Sequence, residues 1–307
     1  MSFRFAAVAF SFLLILFLAV EAGAQSDFAR SHGKFLMGAT QPAPSFRLGA
    51  SFQPDIGIED TDVESDLVKL NTRIGKVFGI DEDLALVTAF NYSLRNYSFD
   101  GVGALGSDLD EDLHELAIEL GANWFVRDDL LLSVVFRPGI FSDLDESIDG
   151  DDFQWQGNAV GIYQWSDSLF LKLGVAIGED FDETNVVPIA GFTWVSSDQL
   201  RVDVLLPRSA TITWQPWEKR SLLVVPGIYL QGQQYHVNIG SREGDVQIQD
   251  IRADVTASYE VTEGARVSLT VGANIRGKYE VEGERGFDAD ADQDPSLYVG
   301  IGFGTNF

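Results

Sequence analysis

The chain predicts an all-β protein, a closed antiparallel transmembrane β-barrel of about fourteen strands behind a cleaved signal peptide. Three observations support this. From Ser45 onward, long segments alternate apolar with polar or small positions at a period of two. The connections between them alternate between short turns and longer acidic stretches. Ahead of them lies a short apolar run of the kind that directs export.

That run comes first in chain order. Arg4 supplies a short positive region, Phe5 to Val20 is apolar, and Ala22-Gly23-Ala24 offers a small-residue cleavage site. Residues 1–24 are therefore expected to be the signal peptide. Residues 25–44 are expected to form a periplasmic linker or partial plug, and residues 45–307 the barrel. No later segment is apolar for as long as a membrane helix requires, about 18 residues. The chain has no cysteine, which removes disulfides, thiolate metal sites and lipid attachment through a thiol.

The net charge of −26 argues against nucleic acid as a partner, because phosphates need Lys and Arg. High charge with little apolar residue would mean disorder, but 45% of the chain is hydrophobic and 12% aromatic. The charge must be segregated along the chain. Stretches near 54–66, 99–112, 142–152, 179–185 and 282–295 hold 27 of the 47 acids and one base, Arg285. They read as loops at one end of a barrel, with short turns near 79–83, 127–129, 166–168, 196–198, 215–219 and 262–264 at the other.

Among the strands, Val267 to Val281 alternates most cleanly, with Val267, Leu269, Val271, Ala273, Ile275, Gly277, Tyr279 and Val281 on one face. Leu169–Gly178 and Leu130–Ile140 repeat the pattern. Val246–Val261 slips phase between Ile248 and Ile251, which a β-bulge would explain. Counting turns and loops gives fourteen strands. Twelve follow if Leu200–Leu206 and Ala210–Trp214 do not form a hairpin of their own. Several segments exceed the five or six residues of ordinary soluble strands and match the 9–11 of tilted membrane strands. Phe78, Trp124, Trp165, Trp194, Trp214, Trp217 and Tyr259 gather near strand ends, where interfacial girdles lie.

The final segment, Leu297 to Phe307, is apolar or Thr at every second position and stops on an aromatic. It resembles the terminal strand of bacterial outer-membrane barrels. That resemblance implies a bacterial outer-membrane location, outer-membrane lipid as surroundings, and an assembly signal at Phe303 and Phe307 read by the barrel-assembly machinery. Gly161-Ile162-Tyr163-Gln164-Trp165-Ser166, Pro188-Ile189-Ala190-Gly191-Phe192-Thr193-Trp194 and Leu206-Pro207-Arg208 extend the likeness. Over Phe153–Phe307 the chain resembles a family of uncharacterised exported barrel proteins. The family implies a fold and a location and supplies no substrate.

No catalytic residue and no cofactor are assigned. Of the three histidines, His32 precedes the barrel, and neither His114 nor His236 has a serine two residues on. Asp288, Asp290, Asp292 and Asp294 are spaced like the opening of an EF-hand loop. Gln293 and Val299 then stand where Gly and Glu are needed, so at most a weak divalent site is expected. The lumen offers the better lead. Lys69, Arg73, Arg95, Arg137, Lys172, Arg201, Arg252, Arg276 and Lys278 fall on predicted inward faces, with Glu119, Asp203, Asp254 and Glu280 beside them. Such a wall either lines a water-filled pore for a small solute or closes the barrel as a salt-bridged interior. The expectation is a non-enzymatic barrel, read first as a passive channel for small solutes. A closed structural or surface-binding barrel with acidic, cation-binding loops is the alternative, and a barrel hydrolase ranks third.

Overall fold

The structure, a computed structural model, describes residues 28, 31–36, 45–59, 63–100, 111–144, 148–180, 183–217, 222–239, 242–283 and 287–306. The expected signal peptide, the C-terminal Phe307 and most of the 25–44 segment lie outside them. Fifteen strands follow one another: β1 (Phe46–Gly57), β2 (Glu64–Gly79), β3 (Leu84–Asp100), β4 (Glu111–Arg127), β5 (Leu130–Ser142), β6 (Phe153–Ser166), β7 (Leu169–Asp180) and β8 (Glu183–Ser197). After them come β9 (Leu200–Leu206), β10 (Ser209–Trp214), β11 (Leu222–Ile239), β12 (Arg242–Thr262), β13 (Ala265–Gly283), β14 (Phe287–Gln293) and β15 (Ser296–Thr305).

From β1 to β13 each strand pairs antiparallel with the next, and β1 pairs with β15 from Phe46↔Thr305 to Phe52↔Val299, which closes the sheet. β14 and β15 both lie against β13 in a single register, Gly277↔Gln293 and Asn274↔Ser296. They are one position of the wall, interrupted at Asp294-Pro295, so the barrel has fourteen strands. The β9–β10 hairpin forms, with Ser209↔Leu205 through Trp214↔Leu200, which excludes the twelve-strand alternative.

Alternation assigns the two faces. Leu48, Phe52, Val68, Leu70, Leu120, Phe136, Leu173, Ile212, Leu269, Val271, Leu297 and Ile301 point outward and are exposed. A belt of Trp124, Trp165, Trp194, Trp214 and Tyr259 rings the short-turn end of that surface. Closure satisfies backbone groups that hydrocarbon would leave unpaired. An even-numbered closed barrel with an apolar outer band and an aromatic girdle belongs to the bacterial outer membrane. The short-turn end, which carries the last strand's terminus, is then the periplasmic end.

The acidic stretches depart from the loop expectation. β7 reaches Asp180 and β8 begins at Glu183, so 179–185 is mostly strand. Most of 282–295 is strand as well, because Asp-Ala alternation from Asp288 to Asp292 itself has the period of two. These acids stand on strand extensions above the apolar band, where an outward polar face meets water.

The bulge also lies elsewhere than expected. β12 is regular at Ile248–Ile251, and its phase slip reflects an apolar lumen: Ile248 faces inward and is 1% exposed. The extra residue is in β13, where Ile251 pairs with Arg276 and Arg252 with Asn274, leaving Ile275 over. β1 shifts register at the same level, between Gln53 and Ile56, with Asp55 at φ 51°. Beyond this belt, parity reverses in β13.

Candidate functional site in the barrel lumen

The inner face divides into three levels. At the periplasmic end, Ala85, Phe125, Leu131, Val160, Ile162 and Phe170 form an apolar seat on β3 to β7. The helical segment 31–36 and Phe28 occupy it. Phe28 and Phe35 are buried there, 5.7 and 5.0 Å from the ring centroid of Phe125. His32 stacks on Phe125 at 3.6 Å and reaches Asp83 of the β2–β3 turn through Nε2 at 3.0 Å. A cleft of about 410 Å³ beside the segment is lined by Ser31, His32, Gly33, Lys34, Phe35, Asp128 and Gln164.

The middle level holds separate ion pairs on the inner wall. Arg73 donates to Glu119 at 3.0 Å. Lys172 donates to Asp203 at 3.4 Å, and Arg201 and Thr193 also donate to that carboxylate. Arg137 pairs with Glu115 and donates to Gln156 at 3.3 Å. Tyr298 donates to Asp254 at 2.6 Å.

The upper level holds a buried charge cluster. Asp250 accepts from Arg252 at 2.9 Å, Lys69 at 3.4 Å and Asn274 at 3.0 Å, with Arg95 at 3.9 Å. None of its charged partners exposes more than 9% of its side chain. Three cations around one carboxylate leave excess positive charge, which the faces of Tyr235 and Tyr298 meet at 5.8 Å from Arg95 and 5.2 Å from Arg252. Above it Ile56, Leu67, Tyr97, Leu113, Phe141, Tyr235, Val237 and Ile248 form a second apolar cluster. Here β11 leans across the barrel onto β5: His236 bridges Ser142, and the Asp143 amide donates to the His236 carbonyl at 3.3 Å.

Ten of the thirteen lumen candidates, Lys69, Arg73, Arg95, Glu119, Arg137, Lys172, Arg201, Asp203, Arg252 and Asp254, thus sit on the inner wall. Arg276, Lys278 and Glu280 do not. The Ile275 bulge turns them outward, with Arg276 68% exposed and 3.6 Å from Asp292. Asp290 and Asp292 share this outer face, opposite Glu280 and Lys278 in the ladder, and Asp294 follows the end of β14 and is exposed. Cross-strand cations therefore compensate part of the proposed divalent ladder, and no group able to hold a metal occurs among the described residues. The side chain of Asp288 lies outside those residues. Phe303 faces outward between Leu48 and Val267.

Two partners were not visible as such in the sequence, Asp250 and Glu115. Asp250 carried a usable signal, since it shares its face with Arg252 and Asp254. Nor do the histidines build a nucleophile. His114 meets Tyr92 at 3.1 Å and His236 meets Asp245 at 3.0 Å. Ser142 lies opposite both histidines in the ladder, but its hydroxyl faces Asp143 and accepts from the Leu144 amide.

Among solved structures the chain is similar to a TodX monoaromatic hydrocarbon channel deletion mutant, at 12% identity over 88% of this chain and 92% of that one, TM-score 0.43. It is similar also to the COG4313 outer membrane channel from Pseudomonas putida F1, at 10% identity, 88% and 98% coverage and TM-score 0.43. A KdgM porin aligns at 10% identity, 85% and 98% coverage and TM-score 0.36. No curated protein matches by sequence. Residues 109–306, from β4 through β15, match the domain of unknown function DUF6268, and the chain belongs to that family.

Proposed function

We propose that the protein is a plugged passive channel for small solutes, and that the 28–36 segment is its displaceable periplasmic stopper. The observation that carries this is the seating of Phe28, His32 and Phe35 against an apolar inner wall below a polar, ion-paired chamber. The energetics fit a stopper that can leave. Burying two Phe side chains contributes roughly 3–6 kcal/mol. Ordering the segment opposes this by about 1 kcal/mol or more per residue. The balance is small, and the single hydrogen bond between His32 and the exposed Asp83 adds about 1 kcal/mol.

Liposome swelling with a pentose-sized sugar tests the reading. Phe28→Ala/Phe35→Ala should raise the swelling rate several-fold over the parent chain. Equal rates, with folded barrels in both preparations, would refute it. The buried knot at Asp250 favours a second reading, a closed barrel acting through its acidic surface. That reading predicts no swelling from either form.

A further inference from the structure

The charge cluster at the upper level is assembled from separate parts of the wall. Lys69 and Arg95 stand on β2 and β3, whereas Asp250 and Arg252 stand on β12, with β1, β15 and β13 between them round the barrel. Neighbouring strands lie about 4.8 Å apart, so these side chains meet by reaching into the lumen and not along the sheet. Charged side chains that converge across a lumen decide which solutes it admits.

The contacts of Asp250 fall into two sets. On its own side it accepts from Arg252, two residues along the strand, at 2.9 Å and from Asn274 of neighbouring β13 at 3.0 Å. Across the lumen the contacts are longer, 3.4 Å from Lys69 Nζ and 3.9 Å from Arg95 Nη1. The second is beyond hydrogen-bonding distance. All three cations approach the same oxygen, Oδ2. Asp250 is thus held firmly by its own wall and loosely by the opposite one.

Donors are left over. Arg95 Nη1 and Arg252 Nε are buried and make no hydrogen bond among the described residues, in side chains that belong to residues 8% and 7% exposed. A buried charged donor without an acceptor is destabilising. Charge is left over as well. Asp254, two residues beyond Arg252 on the same face, lies within its electrostatic reach and accepts from Tyr298. Glu115 is taken by Arg137. Three cations therefore face two carboxylates. The ring faces of Tyr235 and Tyr298 carry no net charge, so one positive charge remains uncompensated.

We infer that Lys69 and Arg95, in the positive field completed by Arg252, form a binding site for a small monovalent carboxylate, and that Asp250 holds the ligand's place from the opposite wall. A carboxylate entering between the walls presents two oxygens, one to Lys69 Nζ and one to Arg95 Nη1, where Asp250 offers both a single distant oxygen. Asp250 then keeps Arg252 and Asn274. An excess of one charge favours a monoanion over a dianion. The inference names the solute class of the proposed channel and rests on that reading for passage alone.

Equilibrium dialysis of radiolabelled acetate against the detergent-folded full chain tests the site, with ionic strength held constant by sodium sulfate. The parent should bind acetate saturably, one per chain. Arg95→Met and Lys69→Met should each weaken binding at least tenfold. Arg276→Gln, which removes an exposed cation outside the lumen, should leave it within twofold. Asp250→Asn removes the competing carboxylate, so it should bind at least fivefold more tightly than the parent, and acetate should raise its urea midpoint. Absence of saturable binding by the parent would overturn the site, and would mean that the cluster is balanced by loss of the Lys69 proton. Binding by Asp250→Asn alone would make Asp250 a permanent partner and overturn it equally. Binding weakened as much by Arg276→Gln as by Arg95→Met would mean attraction to net charge only, which also overturns it. Reversal potentials of the Phe28→Ala/Phe35→Ala form in a potassium acetate gradient separate the two claims, and should have the sign of anion selectivity. Cation-selective steps would remove the solute class and leave the channel. Saturable binding without steps would remove the channel reading and leave the site.

Discussion

Asp250 is where the interior is most sensitive to a single change. Asp250→Asn would leave Lys69, Arg95 and Arg252 buried without a counter-charge, and removing one partner of a buried pair costs roughly 3–5 kcal/mol. The expected result is a marked drop in the urea midpoint of the detergent-folded barrel, partly restored by adding Lys69→Met. A midpoint unchanged from the parent would mean that the knot is solvated. Gly191 makes a second residue-level prediction. A Cβ there would stand 2.1 Å from the Val204 carbonyl oxygen, a backbone atom that cannot swing aside. Gly191→Val should lose the compact, heat-modifiable band on gels, whereas Gly33→Ala, with nothing near its Cβ position, should keep it. The inward cations from Lys69 to Arg252 were legible because alternation fixes a face. Their partners were less so, since Glu115 reaches Arg137 through register, and register is a property of paired strands.

At the scale of the element, β13 shows what alternation cannot reveal. Val267 to Val281 is an unbroken period-two pattern, and the structure still reverses its faces at Ile275. Tyr279 and Val281 fit an apolar lumen as well as they fit lipid, so hydrophobicity alone cannot distinguish the two environments once a barrel interior turns apolar. The reversal is testable by labelling with a membrane-impermeant maleimide. Lys278→Cys should react as a surface thiol and Tyr279→Cys at least tenfold more slowly. The opposite order would restore the unbulged strand. The β9–β10 hairpin was legible as a pair of short strands around Leu206-Pro207-Arg208. That β8 and β11 run well past the hairpin appears only once pairs are assigned.

At the scale of the whole molecule, fold and location were readable from three coarse signals: alternation, turn asymmetry and the terminal strand. Each reflects a constraint that hydrocarbon imposes on any spanning sheet. The state of the lumen was not readable, because inward cations are equally compatible with a pore and with a knot. Phe28, His32 and Phe35 pack at the periplasmic end, ion pairs line the inner wall above them, and a buried charge cluster lies beyond. The central claim is that the 28–36 segment, not the barrel wall, limits passage. Single-channel recording in planar bilayers tests it most directly. The parent chain should show little or no conductance, and Phe28→Ala/Phe35→Ala should open resolved steps at least fivefold more often. Identical traces from both folded forms would contradict the account.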